Sequence, residues 1–240
     1  MNDIRISGSG SVGGGEYNSV HISGSGRIDG AVTCKTYASS GSSRVKGGIK
    51  CDEFASSGAS HIEGSVDCSG TFSTSGAAHI DGDLHGDTAK CSGSLSVGKN
   101  IDIREGRFSG SLSAEGDVSA EKVVLSGAAR IKGLLNAETA EINVGLGSNM
   151  AVEIGSVGGG SITVKCKSGG NVFGFFKMKD LIFMKTTSIE ADRVELECTE
   201  ADIVRATDVV IGDSCRIGTV EYSGSITVSE NAKVEKTVKV

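Results

Sequence analysis

The sequence predicts an all-β fold: a single-stranded parallel β-helix, or β-solenoid, with rungs of ~17 residues arranged in two blocks. Three observations lead there. Of the 240 residues, 36 are Gly and none is Pro or Trp, a composition that helix interiors tolerate poorly. Hydrophobic residues make up 38% and aromatics only 4%, which suits a narrow core of stacked aliphatic side chains better than a deep one. Self-similarity at a fixed period is strong. Collagen is excluded, because there is no strict Gly-X-Y period.

The repeat is seen in segments reading x-aliphatic-x-Gly-x-aliphatic. They are Arg27-Ile28-Asp29-Gly30-Ala31-Val32, Arg44-Val45-Lys46-Gly47-Gly48-Ile49, His61-Ile62-Glu63-Gly64-Ser65-Val66 and His79-Ile80-Asp81-Gly82-Asp83-Leu84. Their steps are 17, 17 and 18 residues. Aliphatic columns share the phase: Val32, Ile49, Val66, Leu84, Ile101, Val118, Leu135 and Val152, and Ile28, Val45, Ile62, Ile80 and Val97. Another runs Val20, Tyr37, Phe54, Phe72, Ala89, Gly106. Small residues form Cys34, Cys51, Cys68, Gly86, and glycines form Gly24, Gly41, Gly58, Gly76, Gly93, Gly110. The single 18-residue step places one extra residue between Cys68 and Phe72, at a corner. Short alternating stretches such as Val66-Asp67-Cys68 read as strands, and each buries its apolar side chain only if like strands stack above and below it. The glycine column marks a corner that needs positive φ or tight packing.

A second block shows the same period in Val164, Leu181, Cys198, Cys215, Ala232, in Val194, Ile211, Val228, in Ile203, Val220, in Val209, Ile226 and in Ile217, Val234. Arg193-Val194-Glu195-Leu196-Glu197-Cys198 alternates strictly, so the glycine-free stretch from Phe175 to Ile211 is read as strand. The columns falter near residue 155. This gives an N-terminal solenoid over 1–155 and a C-terminal block over 156–240 with an aromatic-rich entry, Val172-Phe173-Gly174-Phe175-Phe176-Lys177-Met178.

No motif commits the chain to catalysis. Gly8-Ser9-Gly10-Ser11-Val12-Gly13 matches GxGxxG, but no amphipathic helix follows to cradle a phosphate, so no nucleotide is expected. A net charge of −6 without a Lys/Arg block gives no footprint for nucleic acid. Stacked Cys34, Cys51 and Cys68 could hold metal or sense oxidants, but are read as small buried residues filling a corner. His61 and His79 share a solvent-facing column with Arg27 and Arg44, while His21 and His85 have no obvious acidic partner. Asp29, Glu63, Asp81 and Glu115 share an outer column; paired carboxylates can hydrolyse glycosides, yet rungs without insertions leave no walls for a cleft. No enzyme activity, cofactor or metal is therefore expected. Seven Cys without an export signal point to a reducing cytoplasm, and no apolar run is long enough for a transmembrane helix.

The ends of a solenoid expose unpaired backbone groups and the last apolar rung, which templates another chain. Ile4, Ile6 and Val12 at one end, and Val234 and Val238 at the other, are the expected self-assembly surface. Phe173, Phe175, Phe176 and Met178 are a further candidate, read either as an assembly or lipid-contact patch or as a cap over an open end.

The proline-free 17-residue rungs resemble the bactofilin-like, polymer-forming cytoskeletal proteins of bacteria. The likeness is clearest in Ile189-Glu190-Ala191-Asp192-Arg193-Val194-Glu195-Leu196-Glu197, Val209-Val210-Ile211-Gly212 and Ile217-Gly218-Thr219-Val220-Glu221-Tyr222. The resemblance implies a right-handed β-helix that polymerises without nucleotide and serves as a scaffold at the membrane or envelope. Its implied partners are further copies of itself, with a membrane surface or envelope-associated proteins as additional candidates. The two blocks depart from the family's single central domain with Pro-rich tails. A solenoid enzyme or ligand-binding protein (carbohydrate-active or acyltransferase-like), or a non-polymerising adaptor, is the competing expectation.

Overall fold

The computed structural model describes residues 2–145, 151–167 and 181–240. They are all-β without a helix, and form parallel β-solenoid turns, about 13 in all, with rungs of roughly 17 residues. Two compact units are present, Met1–Ala120 and Glu121–Val240. The residue-155 boundary read from the sequence falls inside a strand, Val152–Lys167.

Unit 1 opens with three strands, β1 (Asn2–Ile6), β2 (Ser9–Ile22) and β3 (Ser25–Ser39). Short and long strands then alternate. The short ones are β4 (Ser42–Val45), β6 (Ala59–Ile62), β8 (Ala77–Ile80), β10 (Ser94–Val97) and β12 (Ser111–Ala114). The long ones are β5 (Ile49–Ser56), β7 (Val66–Thr74), β9 (Leu84–Cys91) and β11 (Ile101–Phe108). Short strands stack in parallel on short, and long on long. A turn is thus a four-residue strand, a three-residue bend, an eight-residue strand and a two-residue bend.

The register bears out the columns within this unit. Val32 lies opposite Ile49, Ile49 opposite Val66, Val66 opposite Leu84 and Leu84 opposite Ile101. Cys34, Cys51, Cys68 and Gly86 follow the same ladder, and the extra residue of the 18-residue step is absorbed between Cys68 and Thr71. In β5 the residues alternate inward and outward except at Asp52 and Glu53, which both face water. Two outward residues in succession mark the corner between the two faces of a long strand.

The core changes composition along the unit while staying filled. Tyr37, Phe54 and Phe72 stack with ring centroids 5.0 and 4.6 Å apart. Their column then narrows to Ala89 and Gly106. A neighbouring inward column meanwhile widens from Ser39, Ser56 and Thr74 through Cys91 to Phe108. A Cβ at residue 106 would lie 2.6 Å from the Phe108 ring, so that ring occupies the space the glycine vacates. Likewise Ser43, Ser60 and Ala78 give way to Leu95 and Leu112. Close packing demands such exchanges, because each missing methylene leaves a costly void.

The corner glycines are set by approach and not by backbone angle. None of Gly24, Gly41, Gly58, Gly76, Gly93 or Gly110 has positive φ. A Cβ at any of them would collide with the carbonyl oxygen of the corner glycine one rung earlier. That oxygen accepts a hydrogen bond from the residue following the collision site, as in Ala59 N–H to Gly41 O at 3.0 Å.

In unit 2 the strands are β14 (Ala128–Gly145), β15 (Val152–Lys167), β16 (Met184–Leu196), β17 (Thr199–Ile211), β18 (Arg216–Tyr222), β19 (Ile226–Val228) and β20 (Lys233–Lys239). The strand β13 (Val118–Leu125) spans the division. The strand reading of the glycine-free stretch holds for β16 and β17, but several columns expected there do not. Val194 lies opposite Val209, and it is Leu196 that meets Ile211. Val220 meets Val204 and not Ile203. Cys198 donates its amide to Asp213 O, which sets it against the bend before Cys215. Leu135 meets Val157, while Val152 meets Ala129. The reason is turn length. β16 covers in 13 unbroken residues the path that takes a short strand, a three-residue bend and a long strand in unit 1, and the connection Glu197–Cys198 keeps the two-residue length, so that turn is two residues shorter than in unit 1. Cys198 accommodates the tight connection with φ of 51°. The pairs Val209–Ile226, Ile211–Val228 and Ile217–Val234 stand as expected.

Candidate functional site

Two features of the described residues bear on function: the outermost strands and a side-chain cluster on unit 1.

Among the described strands, β1 pairs only with β2, and β20 only with β18. Ile4 is buried under Val20, whereas Ile6 and Val12 are half-buried in columns sealed one turn later at Ile22 and Ile28. At the other edge Val234 and Val238 are half-buried. Val228 is 40% exposed although its column partner Ile211 is 1% exposed. Ile6, Val12, Val228 and Val234 lie in inward columns that no further described strand covers, whereas Val238 pairs with Glu221 in an outward column. The other candidates, Phe173, Phe175, Phe176 and Met178, lie outside the described residues.

The lateral cluster joins consecutive rungs. His61 on β6 sits in register with His79 on β8, their ring centroids 5.1 Å apart. Two residues beyond His79, and so on the same outward face, Asp81 receives both: its Oδ1 lies 3.1 Å from His61 Nε2 and 2.9 Å from His79 Nε2. The cations nearby have their own partners. Arg44, the neighbour of His61 in the column, bonds Glu63 at 2.8 Å, and Lys46 pairs with Asp29 at 3.2 Å. Hydrogen bonds from Arg27 and then Lys46 hold the Asp29 carboxyl below its ordinary range. Asp29, Glu63 and Asp81 are thus partners of basic residues in their own or the adjacent rung. Asp81 as a shared acceptor was missed in the sequence, although its signal was there: two His in one column and an Asp at even spacing. His85, expected to lack an acidic partner, faces Asp102 at 4.0 Å from the next rung.

The cysteines behave as core. Cys34, Cys51 and Cys68 are buried, and no disulfide joins the described cysteines. Burial pushes the Cys34 thiol up to about 11. A shared contact between Cys51 and Cys68 lowers Cys68 while Cys51 is raised and keeps its proton. The GxGxxG segment runs from the bend at Gly8 into the start of the strand β2.

Comparison with known proteins gives relatives but no family. Over 107 residues, 45% of this chain, it is 36% identical to the uncharacterized proteins YhbE and YhbF of Bacillus subtilis (strain 168). The match spans 43% and 42% of their own lengths. No family model and no solved structure matches the chain. No helix among the described residues is long and apolar enough to cross a membrane.

Proposed function

We propose that the chain is a structural, self-assembling scaffold whose solenoid turns continue from one copy into the next, without nucleotide. The observation that carries this reading is the half-covered state of the apolar columns on β19 and β20. Columns closed at Val209, Ile211 and Ile217 run on into Ile226, Val228 and Val234, which are half-buried or exposed. Another copy's turn laid on β19 and β20 would extend these columns and satisfy their open backbone groups by strand addition.

Magnitudes decide what such a junction needs. Fully burying a Val or Ile contributes ~1.5–3 kcal/mol, and these residues are already partly covered. Association costs ~4–15 kcal/mol. Three side chains alone therefore fall short, and strand pairing together with the apolar residues of the opposing edge has to supply the rest. Ile6 and Val12 on unit 1 are the matching candidates. The resemblance to polymer-forming bactofilins points the same way. A head-to-tail contact of this kind does not close, so it generates filaments.

Negative-stain microscopy and sedimentation of purified protein, with and without added nucleotide, test the proposal. Filaments or large oligomers are expected in both conditions, and Val234→Glu is expected to abolish them. A wild-type chain that stays monomeric at high concentration sinks the proposal. Assembly unchanged by Phe175→Glu and Phe176→Glu removes the aromatic cluster from it.

A further inference from the structure

We propose that His61, His79 and Asp81 form a binding site for a divalent transition-metal ion, of which zinc(II) is the type. The site lies on the side of unit 1 and is independent of the assembly proposed above. Its three donor atoms, two imidazole Nε2 and a carboxylate oxygen, lie within 4.8 Å of one another. Imidazole with carboxylate is a donor set suited to zinc and its neighbours and not to calcium or magnesium, which take oxygen.

The spacing already approaches that of a coordination sphere. Zinc holds nitrogen at ~2.0–2.1 Å and carboxylate oxygen at ~2.0–2.2 Å, so adjacent ligands in a tetrahedron around it sit about 3.3–3.5 Å apart. The two nitrogen–oxygen separations here are 3.1 and 2.9 Å. The two nitrogen–oxygen pairs have to open by a few tenths of an ångström and the two nitrogens to draw together, which side-chain rotation at solvent-facing residues allows. The backbone supplies the preorganisation: parallel pairing in register fixes the two His one rung apart, and Asp81 follows His79 on the same face.

Charge favours the site as well. Arg44 is the nearest cation in the column, and it is engaged by Glu63. On the far side of His79 the register partner is Ser96, a small uncharged residue that leaves room for water as a fourth ligand. Three protein ligands with an open position is the arrangement of an accessible zinc site and not of a closed structural one. On binding, each Nε2 turns a lone pair to the metal in place of its contact with Asp81, and the neutral imidazole carries its one proton on Nδ1.

The test uses the full chain. Zinc(II) is titrated calorimetrically into wild type, His79→Ala and Asp81→Asn, and cobalt(II) spectra report the ligand type. The expected result is a site that either substitution weakens at least ~10-fold. Its cobalt form should show ligand-field bands without thiolate-to-metal absorption, which separates it from the cysteines. Because all three residues face solvent, unchanged melting of the variants checks that they fold. Equal zinc affinity in wild type and both variants, or a cobalt spectrum dominated by thiolate absorption, overturns the proposal.

Discussion

Replacing Gly58 by Ala tests the stacking geometry at a corner where successive rungs approach closely. A Cβ there would lie 2.7 Å from the Gly41 carbonyl carbon and 2.8 Å from Ser40 O, and nearer still to Gly41 O. Real Cβ contacts essentially never fall below 3.0 Å, so the two rungs must separate by roughly 1 Å at this corner. The bonds that hold them are Ala59 N–H to Gly41 O at 3.0 Å and Ser57 N–H to Ser39 O at 2.9 Å. Stretching both costs about 0.5–1.5 kcal/mol each, more if a buried group is left unpaired. Ala restricts the unfolded chain and returns ~0.4–1 kcal/mol. The net expectation is a loss of up to about 2.5 kcal/mol, and more if a buried group is left unpaired, read as a lowered urea midpoint and a fall in melting temperature. Gly8 occupies the same column at its first rung, where nothing lies within 4 Å of a Cβ. Gly8→Ala should therefore be neutral to within ~0.5 kcal/mol. Equal destabilisation by both substitutions would refute the argument that approach of successive rungs, and not corner conformation, demands glycine.

Two further outcomes follow from the same core. Ser60 accepts a hydrogen bond from the Ser43 hydroxyl at 2.9 Å and meets the Ser56 hydroxyl at 2.7 Å, so Ser60→Ala should cost ~1–3 kcal/mol in urea unfolding by stranding them. Ser39, whose buried hydroxyl has no partner, should lose nothing on replacement by Ala, and equal costs for the two would contradict this reading. Burial pushes Cys34 and Cys215 up to about 11 and Tyr37 up to about 12. The unfolded chain then gives up thiol protons from about pH 8.5 while the native state keeps them. Stability should be fully present below that pH and fall as pH rises toward 11. Urea midpoints measured at successive pH values check this, and a profile flat across that window would count against it.

The amino-acid sequence alone determined the solenoid, because identical side chains must stack when bends have constant length. In unit 1 the bends are constant, and Val32, Ile49 and Val66 could be placed over one another from spacing. It also determined which residues face inward, since alternation in a strand admits only two faces. Tertiary structure decided the rest. Where the turn that begins with β16 shortened by two residues within its strand, Val194 slid from Ile211 to Val209, two aliphatics that no column could tell apart. The passing of core volume from Phe72 to Phe108 was invisible for a similar reason: packing conserves the sum over a layer, not the size in any one column. Periodicity set His61, His79 and Asp81 on one outer face, but only side-chain rotation on that face could bring their three donor atoms together.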